Sequence, residues 1–173
     1  LFKKWFAIAE KSETNDPNAL SLATSSSDGI PSVRMVLLKG LSDSGFVFYT
    51  NFDSKKGNDL KSNPNASMCF HWKSIKRQIR VSGKVSSVDK EEADKYFASR
   101  DYGSKISAWA SSQSKVMKSS NELLDKIKEF EKKFPDKNNV PRPPHWSGWK
   151  ITPNEIEFWL ETKNRSHQRL NYR

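Results

Sequence analysis
The chain has 173 residues, with 30 Lys and Arg against 20 Asp and Glu and a formal net charge of +10; that length fits one domain with a sizeable core. A hydrophobic share of 35% with 12% aromatic residues lies outside the disordered range, and a single Cys excludes an intramolecular disulfide. No apolar run approaches the roughly eighteen residues of a membrane span, and the positive charge suits nucleic acid, an anionic surface or phosphorylated small molecules, or else a solvated Lys-rich surface, since the lysines are scattered.

Leu1 to about Glu13 reads as a helix with Leu1, Phe2, Trp5, Phe6, Ile8 and Ala9 on one face. The chain starts without Met, so residues upstream of Leu1 are expected. Asp16-Pro17 breaks the helix. Ala19 to Thr24 reads as a strand, and Ser25 to Gly29 as a turn. Ser32 to Gly40 is the next strand, with Val33, Met35, Leu37 and Lys39 on one face and Arg34, Val36 and Leu38 on the other. Both faces are mostly apolar, which places the strand inside the fold. Its two cations then need partners, either internal carboxylates or anionic groups of a ligand.

A turn at Gly40–Gly45 leads to a strand at Phe46–Thr50, and tight turns between short strands read as an antiparallel meander. Ser54 caps a short helix from Lys55 to Ser62, which Asn63-Pro64 ends. Ala66–Trp72 and Arg77–Val88 are strands, the second with Gly83 marking a bulge or a close backbone approach. Asp89 and Glu92 cap a helix from Lys90 to Arg100. Ile106–Ser112 reads as a short helix and Asn121–Phe134 as a longer one, with Leu123, Leu124, Ile127, Phe130 and Phe134 on one face. Residues 135–147 form a Pro-rich loop. Trp149–Ile151, Ile156–Leu160 and Gln168–Tyr172 read as closing strands. The pattern predicts a mainly β, antiparallel barrel with peripheral helices.

Three polar groupings can carry chemistry. Tyr96, Arg100 and Ser104 are four residues apart, and on one helix they would make a cradle of donors for a phosphate; Gly103 is expected to end that helix first, leaving a Tyr-Arg pair at a helix end. Lys55 and Lys56 stand at a helix N-terminus, where free N–H groups attract anions, with Tyr49 and Thr50 just before them. They read either as anion ligands or as solvated lysines. Arg165, His167 and Arg169 fall on one side of an extended chain, facing an anionic or π-rich partner or forming an exposed basic tail. Cys69 and His71 share a strand face, too few ligands for zinc, so no metal site is expected. No phosphate-cradling glycine loop is present.

These residues together resemble the pyridoxamine 5′-phosphate oxidase (pyridoxine/pyridoxamine 5′-phosphate oxidase) family. The matching segments are Arg34-Met35-Val36-Leu37-Leu38-Lys39, Val47–Asn51, Tyr96-Phe97 through Arg100 and Ser104, Gln113-Ser114, and Ile156–Trp159 with Arg165-x-His167-x-Arg169. The resemblance spans nearly the whole chain. It implies a single FMN-binding split β-barrel domain over residues 1–173, Greek-key-like, with the N-terminal helix at 1–13 and the barrel with its inserted helices at 17–173. It also implies a cytoplasmic homodimer, with FMN at the subunit interface and no nucleic-acid or membrane partner.

The implied activity is oxidation of pyridoxamine or pyridoxine 5′-phosphate by O2. Arg34, Met35, Val36, Leu37, Leu38, Lys39, Tyr49, Thr50, Lys55, Lys56, Gln78, Gln113, Ser114, Trp159 and Arg169 would hold the FMN. Lys39, Tyr96, Arg100 and Ser104 would hold the substrate phosphate. Arg165, Ser166 and His167 would cover the pyridine ring, with Arg165 and His167 catalytic. The chain departs from the family pattern at Ser166, Gln168, Leu160 and Lys55, where Leu, Asp, Gln and Arg are usual. Two other readings are a flavin-holding barrel without oxidase activity and a basic barrel that stacks single-stranded nucleic acid on its aromatic residues.

Overall fold
The structure, a computed structural model, describes residues 1–119 and 121–173. Its elements in order are α1 (Phe2–Ser12), β1 (Ala19–Ser25), β2 (Pro31–Leu37), β3 (Gly40–Ser42), β4 (Gly45–Asn51), α2 (Lys55–Ser62), β5 (Asn65–Trp72), β6 (Arg77–Ser87), α3 (Lys90–Ala98), α4 (Tyr102–Ala110), α5 (Asn121–Lys133), β7 (Trp146–Leu160) and β8 (Gln168–Tyr172). Among the described residues the strands form one sheet in the order β2-β1-β5-β6-β7-β4-β3, with β8 on β7. The β1–β2, β1–β5, β3–β4, β5–β6 and β7–β8 pairs are all antiparallel. The mainly β class expected from the sequence is therefore the class observed.

Two compact units share the chain. One comprises Leu1–Phe48, Asp59–Ser86 and Trp149–Arg173, the other Tyr49–Asn58 and Ser87–Gly148. In the first, alternation along β1, β5 and β6 turns Leu20, Leu22, Met68, Phe70, Ile79 and Val81 inward, all nearly or fully buried. The helix α1 closes this core through Phe2, whose ring lies 5.0 Å from that of Phe46 and 5.2 Å from that of Phe70. Trp72 fixes the chain where α1 has ended, its indole N–H donating to the carbonyl of Pro17 at 2.8 Å.

The β6 and β7 backbones approach so closely at Gly83 that a Cβ there would lie 2.0 Å from the carbonyl oxygen of Thr152. Sequence reading allowed a bulge or a close approach at this glycine, and the structure shows the approach. Gly83→Ala is therefore expected to destabilise the protein by about 2 kcal/mol or more. Thermal or denaturant unfolding checks this, and an unchanged midpoint would show that the two strands separate freely.

Three expectations are corrected. First, β2 is not an interior strand. It lies at the sheet edge, with Val33 68%, Met35 63% and Leu37 37% exposed. Alternation separates two faces correctly but cannot tell whether anything covers the second one. Second, the Gly40–Gly45 turn contains a short strand, β3. Third, the two closing strands before Leu160 are one, because Pro153 and Asn154 sit within β7 without interrupting it.

The second unit is built around Phe97, Ile106, Ala108, Val140 and Trp146, with Tyr49, Tyr96, Trp109, Ile127, Phe130 and Phe134 packed against them. Asp89 caps α3 by accepting from the Glu92 N–H at 2.7 Å, and Asp101 caps α4 by accepting from the Ser104 N–H at 2.8 Å. The second cap decides the geometry of the site. It starts a new helix at Tyr102 and places Gly103 in its first turn, so Tyr96, Arg100 and Ser104 do not share one helical face.

Candidate functional site
In the second unit, Lys56 lies in the first turn of α2 and is only 7% exposed. Its ammonium donates to Gln113 Oε1 at 2.8 Å, Thr50 Oγ1 at 3.0 Å and Ser54 Oγ at 3.2 Å. Ser54 is the cap of that helix, with Oγ accepting from the Gly57 N–H at 3.3 Å and donating to the Asn51 carbonyl at 2.6 Å. A Cβ at position 57 would strike the Phe52 carbonyl oxygen at 2.2 Å, so glycine permits this tight first turn. The structure thus brings Thr50, Lys56 and Gln113 together although Thr50 and Gln113 are 63 residues apart in sequence. Ser114 follows in a left-handed conformation, φ 66°, and Lys55 is exposed.

Beside this group, Tyr49, Tyr96 and Trp146 lie nearly parallel. The Tyr49 and Tyr96 rings stack at 3.9 Å, and the Tyr49 and Trp146 rings are 5.3 Å apart. Burial pushes the Tyr49 phenol up to about 12, with the nearby Glu92 adding to it. Burial also raises Tyr96, against the opposing effect of Arg100. Both phenols are neutral hydrogen-bond donors at neutral pH.

The guanidinium of Arg100 lies 4.8 Å from the centre of the Trp146 ring and 5.7 Å from that of Phe97. Burial lowers its pKa, opposed only in part by Tyr96 and Asp101. Its Nη1 is buried without a hydrogen-bond partner among the described residues, a costly state for a charged donor. A cleft of about 290 Å³ opens here, lined by Arg100, Tyr49, Thr50, Gln113 and Trp146 among others. Ser107 and Ser111 line it too, and neither they nor Trp146 carry a site assignment from the sequence. Trp146 carried one usable signal, a large aromatic residue ending a Pro-rich loop. Ser104 faces Asp101, whose carboxyl is held below the usual range by hydrogen bonds from the Ser104 side chain and N–H.

In the first unit, Arg34 has internal partners. Its Nη1 donates to Thr24 Oγ1 at 2.7 Å, to the Ser32 carbonyl at 3.1 Å and to the Leu22 carbonyl at 3.2 Å, and Nη2 stands 3.9 Å from Asp59 Oδ2. Thr24 in turn donates to the same Asp59 oxygen at 2.7 Å. Burial lowers the Arg34 pKa, and Asp59 opposes the shift only in part. Of its neighbours, Met35 and Leu37 are exposed, Val36 is half-buried and Leu38 is buried. Lys39 is exposed and lines a groove with Phe6, Glu10 and Asn18. Gln78 pairs with His71 across β5 and β6.

The C-terminal residues come together differently from the expected extended row. Lys163–Arg165 is a 3₁₀ turn, with Asn164 and Arg165 both left-handed at φ 58° and 60°, and only Gln168–Tyr172 is strand. Trp159 pairs with Arg169 across β7 and β8, and its ring centre lies 4.8 Å from that of His167. Arg169 donates to both oxygens of Glu157, at 2.9 and 3.0 Å, and Arg80 reaches the same carboxylate at 3.5 Å. Arg165 makes no hydrogen bond or ion pair with the described residues.

Residues 8–134 match the pyridoxamine 5′-phosphate oxidase family, and residues 146–173 match the pyridoxine 5′-phosphate oxidase C-terminal dimerisation region. The chain is 57% identical over 172 residues to a pyridoxine/pyridoxamine 5′-phosphate oxidase of Pelagibacter ubique (strain HTCC1062), covering 99% of this chain and 83% of that protein. It is 52% identical over 169 residues to the protein of that name from Sphingopyxis alaskensis, covering 98% and 78%. Among solved structures, PhzG from Burkholderia lata 383 in complex with tetrahydrophenazine-1-carboxylic acid is similar with a TM-score of 0.92 at 32% identity, covering 99% of this chain and 83% of that one. A pyridoxamine 5′-phosphate oxidase-related, FMN-binding protein from Nostoc punctiforme shares the fold, with a TM-score of 0.72 at 14% identity over 99% of this chain and 97% of that one.

Proposed function
The chain belongs to the pyridoxine/pyridoxamine 5′-phosphate oxidase family, and on that premise we propose that it oxidises pyridoxamine 5′-phosphate and pyridoxine 5′-phosphate to pyridoxal 5′-phosphate. It is an FMN-dependent oxidase. In the proposed reaction the substrate gives up two electrons and two protons, from the C–H and from the N–H or O–H of its amine or alcohol. Molecular oxygen takes them up as hydrogen peroxide. On the amine route, water hydrolyses the resulting imine to the aldehyde and ammonia. Bound FMN supplies the two-electron acceptor for this chemistry.

The residues present fit such a group. A phosphate tail needs fixed cations and hydroxyl or N–H donors, and Lys56 with Thr50 at a helix N-terminus offers that kind of set. We assign Arg34, Lys55, Lys56, Thr50, Gln113 and Ser114 to the FMN phosphate and ribityl chain. Tyr49, Gln78, Trp159, Arg169 and the segment from Met35 to Lys39 are assigned to the rest of the cofactor site.

The observation that carries the reading for the substrate is Arg100. A half-buried guanidinium whose Nη1 is buried and without a partner, lining a cleft beside the neutral phenol of Tyr96, suits an incoming phosphate. Lys39 and Ser104 are assigned to the same phosphate, and Arg165, Ser166 and His167 to the pyridine ring. The protein acts as a homodimer, in keeping with its C-terminal dimerisation region. The exposed apolar row of Val33, Met35 and Leu37 at a sheet edge is the kind of surface that assembly covers. We place FMN at the subunit interface and the enzyme in the cytoplasm. No helix among the described residues is long and apolar enough to cross a membrane.

The test is the visible spectrum of the FMN-loaded protein. Anaerobic pyridoxamine 5′-phosphate is expected to bleach it, and admitted air to restore the colour with release of peroxide. A protein that takes up no FMN, or one whose bound FMN is not bleached, would overturn the proposal.

A further inference from the structure
The short segment that joins β7 to β8 is irregular yet closely tied. Glu161, just past β7, donates its N–H to the Lys76 carbonyl at 3.0 Å, which anchors the entry to the loop. The next residue, Thr162, makes two hydrogen bonds into the same loop. Its N–H donates to His167 Nδ1 at 3.3 Å, and its hydroxyl donates to the Ser166 carbonyl. Between these residues the backbone turns through the two left-handed positions, Asn164 and Arg165. Asn tolerates that conformation, whereas Arg adopts it only where its surroundings impose it. The Ser166 N–H closes the turn on the Lys163 carbonyl at 3.3 Å.

A backbone N–H can only donate, so the Nδ1 that faces it must accept. The neutral imidazole of His167 then carries its proton on Nε2. Trp159 lies against the ring and limits its rotation. Nε2 has no partner among the described residues, so the ring offers an N–H donor outward.

We propose that Thr162 is a positioning residue for His167: its N–H and hydroxyl together hold the loop so that the imidazole presents Nε2–H, a donor suited to an oxygen or ring-nitrogen acceptor on the substrate. The substrate-facing half of this statement rests on the assignment of His167 to the pyridine ring made above. The tautomer half rests on the loop alone.

The experiment is nitrogen-15 NMR of the imidazole, above the pH at which it takes up a proton, in wild type, Thr162→Val and Thr162→Ser. Valine keeps the size of threonine and removes the hydroxyl, and serine restores it. In wild type, Nδ1 is expected at the unprotonated extreme of its range, with scalar coupling to the Thr162 amide nitrogen. In Thr162→Val both signals should move toward the averaged values of a free imidazole, with kcat/KM roughly tenfold lower and FMN content unchanged. Thr162→Ser should recover both. An averaged ring in wild type, or an unchanged His167 spectrum in Thr162→Val, overturns the proposal. A displaced tautomer with wild-type turnover supports Thr162 as the group that sets the ring, and overturns instead the reading that His167 faces the substrate.

Discussion

Arg165→Ala is expected to turn over roughly 10²-fold more slowly or worse, while its FMN content and melting temperature stay near those of wild type. Arg165 is exposed and makes no hydrogen bond or ion pair with the described residues. By contrast, Arg34 is held by Thr24, Ser32 and Asp59, and Arg169 by Glu157. Truncating Arg165 therefore removes no internal contact, and a surface change of that kind alters stability by only about 0.5 kcal/mol. Yet the residue sits in a left-handed conformation, which the fold sustains only through the surrounding turn. A guanidinium held this way is free to meet charge that develops on a bound substrate. Steady-state and single-turnover kinetics check the prediction. Near-normal turnover would remove the catalytic role, whereas a loss of FMN would move Arg165 to the cofactor side. Arg165→Lys should recover only part of the loss, because a point charge replaces a planar fork.

What could be read from the chain beforehand depended on the range of the interactions involved. Local signals were dependable. The helices at Lys55–Ser62 and Lys90–Ala98 follow their caps, Ser54 and Asp89, and β5 and β6 follow their alternation. Questions of who covers whom were not local. The two apolar faces of β2 look alike in sequence, and only the sheet order shows that Val33, Met35 and Leu37 point away from the core. Pro153 reads as a break, yet it lies within β7, with its Cα 2.9 Å from where a Cβ on Gly83 would sit. The close approach at Gly83 was partly legible, because glycine weakens a strand interior and is kept there where the chain bulges or another backbone comes near.

The site divides along the same line. The clustering of Lys56 with Thr50 was visible as proximity in sequence, but Gln113 could be joined to them only by folding or by family resemblance. The two-cation strand, Arg34 to Lys39, left open a choice between internal carboxylates and ligand anions. The structure gives Arg34 a share in Asp59 at 3.9 Å while leaving Lys39 exposed. Nothing in the spacing of Thr24, Arg34 and Asp59 marks them as a group, since β1, β2 and α2 bring them together from across the first unit. Thr162, and the pairing of Glu157 with Arg169, are not legible in the sequence for a related reason. Both residues touch other side chains of the site rather than forming a motif themselves, and such contacts exist only once β7 and β8 are paired.

Arg100→Ala should raise KM for pyridoxamine 5′-phosphate by roughly 10- to 150-fold, the equivalent of about 1.5–3 kcal/mol for a charge-assisted hydrogen bond, with kcat changed much less. Arg77 also has buried, unpartnered guanidinium nitrogens and lies against Trp5, but of the two only Arg100 lines the cleft, where it lies against Trp146 with a neutral Tyr96 phenol beside it able to donate to the same anion. An orphaned buried donor costs stability, so removing it is expected to leave the melting temperature nearly unchanged despite the lost packing on Trp146. A phosphate that accepts from this N–H supplies the missing hydrogen bond, and the variant loses that gain. The preference for the phosphorylated substrate over pyridoxamine itself should therefore fall by the same factor in Arg100→Ala, because only the phosphorylated one uses the bond. A fall in kcat with KM and phosphate preference intact would place Arg100 at the reacting end of the substrate instead. A drop of many degrees in melting temperature would show that the guanidinium serves the fold through Trp146 rather than a ligand.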